Sequence, residues 1–265
     1  MVGGSHIMPQ VEKSAVAIIS LSSAGERRAH FAKFAGDADL PWSFFDARTS
    51  IAPPLEYNAT AARRVHGRSL TPGELGVYAS HFAVWKQLLD SNERQMMVFE
   101  DDVVADWPLI ARLASCDFSA IGIHYLRLFT KIPPRFRKLK SPFLDRYHHL
   151  IRITGFALGT QAYMITRSGA ERLVKHASRI ECPVDAYMDK YWTHGVANLA
   201  LYPFPVFERF DASSIGEARF ERQPMPVADR LALFRRRLHE RFAMVRNAMG
   251  LDPDGLERDV LRKLP

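Results

Sequence analysis

The sequence predicts an α/β fold organised around a parallel sheet, and three stretches carry that expectation. The first is Ser14-Ala15-Val16-Ala17-Ile18-Ile19-Ser20-Leu21, a short apolar run rich in β-branched residues, as a strand buried on both faces requires. The second comprises a turn at residues 22–25, a helical stretch over residues 26–34 and another strand over residues 42–47. That β-α-β start makes a parallel arrangement the natural one. The third is Met96-Met97-Val98-Phe99-Glu100-Asp101-Asp102-Val103-Val104, an apolar strand that ends abruptly in three carboxylates and then resumes.

Taken in order, the elements justify themselves locally. Residues 1–8 look like an expression remnant, and residues 1–13 are expected to be a disordered N-terminus. Arg27 and Arg28 fall in the first turns of the helix over residues 26–34. After the second strand a polar, proline-containing loop runs to about residue 69. Thr71-Pro72-Gly73-Glu74 then opens the clearest helix: Thr71 can cap the orphan amides, Pro72 suits the first helical position and Glu74 completes a capping box. Leu75, Tyr78, Phe82, Trp85 and Leu89 recur at helical spacing and give it an apolar face. Residues 121–129 and 157–166 are predicted strands. A second capping box at Ser168-Gly169-Ala170-Glu171 precedes a helix to about residue 177. The last elements of this part of the chain are a short helix over residues 185–192 and a late strand over residues 198–207, broken by Pro203 and Pro205.

Two stretches stand apart. Residues 131–140 are basic, free of acids and interrupted by Pro133 and Pro134, so they are predicted to be a loop. From Val227 onward, Val227, Leu231, Phe234, Leu238, Phe242, Val245 and Met249 form a helical stripe flanked by Arg230, Arg235, Arg236, Arg237, Arg241 and Arg246. That stripe can either pack on the preceding domain or lie on an anionic membrane surface. The expected organisation is one α/β domain over residues 14–216 and a basic amphipathic helical extension over residues 217–265.

Composition narrows the class. With 265 residues, 47% hydrophobic and 25% charged, the chain can bury an ample core in one large domain with an appendage. Cys116 and Cys182 are too few for a disulfide framework and lack zinc-ligand spacing, so they are expected to pack in the core of a cytoplasmic protein. No signal peptide is expected, and no apolar run in the sequence is near membrane-spanning length. A formal charge of +7 favours anionic partners, whether phosphorylated substrates, a membrane surface or nucleic acid, without choosing among them.

The acidic strand end carries the chemistry. Side chains alternate along a strand, so Glu100 and Asp102 point one way and Asp101 the other. Clustered carboxylates at the end of a buried strand repel one another unless a cation or hydrogen-bond donors offset them. In open α/β sheets ligands bind at the carboxyl ends of strands, and a hard divalent cation holding phosphate oxygens suits this one. The plainer alternative is a solvated turn.

With the capped helix and the acidic strand both in view, the chain resembles glycosyltransferase family 25, the bacterial lipopolysaccharide glycosyltransferases. The resemblance rests on Ile18-Ile19-Ser20-Leu21 with Glu26-Arg27-Arg28, on Phe45-Asp46-Ala47, and on Leu70-Thr71-Pro72-Gly73-Glu74-Leu75-Gly76-Val77-Tyr78-Ala79-Ser80-His81 with Trp85-Lys86. It continues through Val98-Phe99-Glu100-Asp101-Asp102, residues 159–165 with Gly169-Ala170, and Pro183-Val184-Asp185, covering roughly residues 15–215. One departure is Ser20, where the family usually has Asn, which bears on a detail of nucleotide contact.

That resemblance implies a GT-A-like, Rossmann-type fold. It implies transfer of a hexose, galactose or glucose, from a UDP-sugar to a lipid-linked lipopolysaccharide or lipooligosaccharide saccharide, with inversion and with Mn²⁺ or Mg²⁺. It implies Asp102 and Glu100 as metal ligands, with Asp101, Asp46, Ala47, Arg27, Arg28, Glu74 and Ser80 on the donor. Asp185 is the expected base, with His81 and Asp189 in reserve. Each has a plainer role: Asp46 a turn residue, one of the two arginines solvated, Glu74 only a cap, His81 a core histidine, Asp185 and Asp189 a surface pair at i,i+4. The competing classes are a nucleotidyltransferase using the same acidic strand end and a basic nucleic-acid-binding protein. The basic residues lack interleaved aromatic platforms, so no nucleic-acid partner is expected. The expected location is cytoplasmic, with peripheral contact on the inner face of the membrane if the C-terminal stripe lies on a leaflet instead of packing on the domain.

Overall fold

The structure, a computed structural model, describes residues 8–36, 38–209 and 226–249 together with Val260, Arg262 and Lys263. Residues 1–7 of the expected remnant over residues 1–8, residues 210–216 of the expected domain, and the parts of the C-terminal extension at residues 217–225, 250–259, 261 and 264–265 lie outside the described residues.

The first half of the chain contributes β1 (Ala15–Ser20), α1 (Gly25–Ala35), β2 (Trp42–Asp46), β3 (Glu56–Tyr57), α2 (Ala59–His66), α3 (Pro72–Asp90), β4 (Gln95–Glu100), β5 (Val103–Ala105) and α4 (Trp107–Ala114). The second contributes β6 (Tyr125–Arg127), β7 (Phe136–Lys140), β8 (His149–Ile153), β9 (Ala162–Thr166), α5 (Arg167–Ala177), β10 (Arg179–Ile180), α6 (Val184–Met188), α7 (Tyr191–His194), β11 (Leu199–Tyr202), β12 (Val206–Glu208) and α8 (Val227–Ala248).

Eight strands form one sheet in the order β2-β1-β4-β9-β6-β11-β8-β7. The β2-β1-β4 half is parallel, as the β-α-β start predicts, and β6 and β11 are parallel to each other. β9 runs antiparallel to both β4 and β6, and β8 antiparallel to β11 and β7, so the sheet as a whole is mixed. Alternation along β4 builds a core on each face. Met97 and Phe99 join Phe31, Ile110 and Leu113 on the α1 and α4 side, while Met96 and Val98 join Trp85, Leu88 and Leu173 on the α3 and α5 side.

Several expectations need correction. Residues 8–13 are not a disordered lead-in: Met8 is buried in the first core, Gln10 bridges to Cys116 and the Val11 amide donates to the Ser115 carbonyl. The basic stretch is not all loop, because residues 136–140 form β7 against β8. As the outermost strand of the sheet it carries Arg137, Lys138 and Lys140, and charge on an edge discourages further pairing. Only residues 125–127 of the stretch 121–129 are strand, because Gly122 at φ 75° turns the chain first. Likewise residues 157–161 form a loop ahead of β9, with Leu158 and Gly159 at φ 54° and 76°. The helix after β9 starts earlier than Ser168: Thr166 is its cap, and its side chain accepts from the Gly169 amide. The helix expected over residues 185–192 is two short helices, α6 and α7. Both cysteines are buried, and burial raises each thiol to about 11, which suits packing.

Candidate functional site

Parallel alignment of β2, β1 and β4 brings Asp46, Ser20 and Glu100 to one edge of the sheet, the carboxyl edge where α/β folds bind ligands. A polar network ties the three strand ends together. Ser20 Oγ donates to Asp101 Oδ2 at 2.5 Å and accepts from Arg28 Nε at 3.2 Å. Arg28 also donates to the Ser20 carbonyl at 2.9 Å and to Asp46 Oδ1 at 2.5 Å, and Arg27 lies 3.4 Å from Asp101. The Ala47 amide donates to the Ser20 carbonyl. Both arginines therefore join the strand-end network, where the sequence led us to expect one of them solvated. Ser20 is the hinge of the network.

The motif helix explains how Asp46 and Ala47 are held. The Thr71 side chain accepts from the Glu74 amide and Glu74 Oε2 accepts from the Thr71 amide, so the predicted capping box is present. Glu74 is also gripped by Arg68 at 2.8 and 2.5 Å, which leaves its carboxyl below the ordinary range against the opposing effect of burial. Ser80 is buried. It donates to the Gly76 carbonyl and accepts from the Arg48 amide at 2.8 Å, and so fixes the turn after Asp46-Ala47. At Gly76 the backbone of residues 48–49 comes so close that a Cβ would stand 2.7 Å from the Arg48 carbonyl oxygen. In this structure Glu74 and Ser80 shape the site from behind.

The second half closes the site through residues 157–161. The Glu100 amide donates to the Gln161 carbonyl, and Thr160 Oγ1 donates to Glu100 Oε1 at 2.5 Å. His81 is fully buried behind Glu100, with Nε2 3.6 Å from Oε1. Its Nδ1 meets the Tyr163 hydroxyl at 2.9 Å, and that oxygen already accepts from Trp85 Nε1. The Tyr163 hydroxyl thus ties His81 to Trp85 and holds the ring with its Nε2 edge toward Glu100. Burial pushes the Glu100 carboxyl up, but His81, Thr160 and Lys131 outweigh it and leave it low.

Asp102 is different. Burial and repulsion from Glu100, Asp101 and Glu208 raise its carboxyl from 3.8 to about 7, with Arg27 pulling only weakly the other way. Its buried Oδ1 has no hydrogen-bond partner among the described residues, and the same holds for His81 Nε2 and Gln161 Oε1. Among the described residues no group of three or more His, Cys, Asp or Glu side chains is arranged to enclose a metal alone. The donor set fits a hard cation held by one or two carboxylates with phosphate oxygens completing its shell.

Asp185 reaches this cluster through the 157–161 loop: its Oδ2 accepts from the Gly159 amide at 3.2 Å and its Oδ1 from the Ala186 amide. Burial, with Asp189 nearby, lifts its carboxyl above the ordinary range. Asp189 is not the surface partner that its i,i+4 spacing suggests. It is fully buried, bonded to Arg127 at 2.8 Å, to Asn198, and to the Ala157 and Leu158 amides. Arg127 also donates to the carbonyls of Leu158 and Gly159, so this pair braces the loop that carries Thr160. Sequence reasoning missed Arg68, Arg127 and Thr160. Thr160 lay in a quoted block, whereas no local pattern marks an arginine in a strand as the clamp of a loop thirty residues away.

An α/β sheet with serine, arginines and crowded carboxylates at the carboxyl edge of its parallel strands is the plan of a nucleotide-binding fold. The chain belongs to glycosyltransferase family 25 (LPS biosynthesis protein), whose sequence model matches residues 14–188. It is 42% identical over 91 residues to the lacto-N-neotetraose biosynthesis glycosyltransferase LgtE of Neisseria meningitidis, covering 33% of this chain and 31% of that one. It is 26% identical over 170 residues to the lipooligosaccharide biosynthesis protein lic2B of Haemophilus influenzae, covering 60% and 62%. A glycosyltransferase 25 family member of Anopheles gambiae is 29% identical over 127 residues, 46% of this chain and 21% of that one. The chain spans from about a fifth to about six tenths of the length of these relatives.

Proposed function

We propose that this protein transfers a hexose, galactose or glucose, from a UDP-sugar to a saccharide hydroxyl of a lipid-linked lipopolysaccharide or lipooligosaccharide acceptor, with inversion and in the presence of Mn²⁺ or Mg²⁺. The observation that carries the reading is Asp102: a crowded, half-buried carboxylate with a buried oxygen left over, on the edge where Arg27, Arg28 and Asp46 converge. The family supports sugar transfer, and the printed names of LgtE and lic2B support the saccharide class.

In this reading Asp46 and Ala47 face the uridine, while Arg27 and Arg28 face the donor's anionic half. Asp102 would hold the cation with Glu100 beside it. When bound, the cation offsets the negative charge that grows on the diphosphate as the glycosidic bond breaks. Glu100 is kept ionised by His81 and Thr160, so it is ready to act as an anion at neutral pH. Inversion needs a base on the sugar face away from UDP. Asp185 is assigned that role because its raised carboxyl suits proton uptake and its Gly159 bond sets it beside the Thr160–Glu100 pair.

The test is a panel of UDP-hexoses and nucleoside triphosphates, each with and without Mn²⁺, scored for UDP or pyrophosphate release. UDP release from one UDP-hexose, only with the metal, is expected. Pyrophosphate release from a triphosphate would replace this reading with nucleotidyl transfer.

A further inference from the structure

α8 packs the wrong way round for a helix whose apolar face seeks the core. Its stripe is exposed along its whole length: Val227 79%, Leu231 60%, Phe234 64%, Leu238 46%, Phe242 65%, Val245 53% and Met249 62%. The side against the domain is held by polar contacts instead. Asp229 is buried against Arg64 at 2.7 Å, and Glu240 is buried against Lys190 at 2.9 Å and Arg236 at 3.4 Å. Tyr191 donates to the Ala243 carbonyl, and Leu233 sits over Gly67, where a Cβ would approach its Cδ2 to 3.2 Å.

This arrangement sorts charge as well as apolarity. The only two acids of α8, Asp229 and Glu240, both face inward. At 100° per residue, Arg230, Arg237 and Arg241 fall along one border of the stripe and Arg235 and Arg246 along the other, all of them exposed. The outward surface of α8 is therefore an apolar ridge between two rows of arginine with no acid on it.

We infer that this face of α8 is a docking surface for an anionic lipid leaflet, with the stripe entering the acyl boundary and the arginine rows lying at headgroup level. A helix so built lies in the plane of an interface, and each arginine near an anionic leaflet adds to binding. A second copy of the chain is the poorer occupant, since a two-fold contact would set arginine rows against arginine rows. A protein partner would have to supply a groove for a convex ridge, whereas a bilayer accepts it as it is. The geometry also links the surface to the site: Met244 packs beside Gly155, at the root of the loop that delivers Thr160 to Glu100. Among the described residues no helix is long and apolar enough to cross a membrane, so attachment through α8 is of the peripheral kind.

The experiment is co-sedimentation of the full chain with vesicles of phosphatidylcholine alone or enriched in phosphatidylglycerol, at low and high salt, with oligomeric state measured in parallel. It needs no turnover, so its failure is separable from failure of the sugar-transfer reading. Binding only to the anionic vesicles, and weakened by salt, is expected from the unmodified protein. Phe234→Ser with Phe242→Ser, and separately Arg230→Glu with Arg241→Glu, should each weaken it by roughly tenfold or more. Equal binding to both lipids, no binding, or variants that bind like the unmodified protein would overturn the inference. So would a stable dimer that the phenylalanine pair dissolves, which would make a second copy the occupant. The lipid comparison on the unmodified chain decides even if a variant folds poorly.

Discussion

At the scale of single residues, the site separates acids by what surrounds them. Asp101 is satisfied by Ser20 and Arg27, Glu100 by Thr160 with His81 behind it, and Asp189 by Arg127, Asn198 and two amides. Burial holds Asp101, Asp102 and Asp185 all above the ordinary range, Asp101 against the pull of Ser20 and Arg27 and Asp102 with added repulsion from Glu100 and Asp101. If Asp185 takes the acceptor proton, Asp185→Asn cuts turnover by roughly a hundred- to ten-thousand-fold while UDP-sugar affinity stays near that of the unmodified enzyme. Steady-state kinetics beside a binding titration checks this, and near-normal turnover would remove the assignment. Asp189, the reserve named from sequence, is a poor substitute. Its carboxylate is consumed by the loop brace, and truncating a buried ion pair costs about 3–5 kcal/mol in stability. Spacing alone made Asp185 and Asp189 look alike; only the loop that folds back over them, thirty residues earlier in the chain, tells them apart.

At the scale of elements, the α3 motif is a mounting for the turn after β2, which carries Asp46 and Ala47. Thr71 and Glu74 fix where the helix starts, Gly76 lets residues 48–49 lie against it, and Ser80 bonds the Arg48 amide. Gly76→Ala puts a Cβ against a backbone oxygen, which cannot swing away as a side-chain end would. The expected cost is about 1–3 kcal/mol in stability. UDP affinity should weaken with it, because Asp46 and Ala47 lie just before Arg48; a thermal melt and a UDP titration report both, and an unchanged affinity would detach the motif from the site. The cap, the Pro72 start and the acidic strand end were legible in the sequence because each is a local pattern with a local cause. β7 was not, since Lys131 to Lys140 reads as solvated until β8 supplies the pairing. The direction in which α8 faces was also hidden: amphipathicity gives two faces, and the ion pairs of Asp229 and Glu240 choose between them.

At the scale of the whole molecule, histidines withdrawn from water, His194 buried and His66 and His124 half-buried, limit stability in acid. Burial lowers His194 from 6.5 to about 3, with Val196 donating its amide to Nδ1. Burial with Arg68 and Lys190 lowers His66 to about 4, and burial with Arg172 and Lys263 lowers His124 to about 4. A folded-state value below the unfolded one means the unfolded chain takes up protons first. Stability is therefore full above pH 6.5 and falls as pH drops through the window down to about 4 and 3. His194 alone accounts for roughly 2 kcal/mol between about pH 6.5 and 5. Asp102, raised to about 7, works the other way and gains native-state stability over the same range. Asp101 and Asp185, also raised above the ordinary range, act in the same sense as Asp102. Removing the largest of these opposing contributions should make urea midpoints fall more steeply from about pH 7 to about pH 5 in Asp102→Asn than in the unmodified chain. Equal slopes in the two proteins would contradict the raised Asp102 carboxyl.

In the proposed function the acidic end of β4 holds a cation and, through it, the diphosphate of a sugar donor. Calorimetric titration of UDP into the protein with Mn²⁺, for the unmodified chain and for Asp102→Asn, tests it most directly. The expected result is Mn²⁺-dependent binding that Asp102→Asn abolishes, with a melting temperature in the absence of metal no lower than before, since one of three crowded negative charges has gone. UDP binding in Mn²⁺ that Asp102→Asn leaves unchanged would contradict the account.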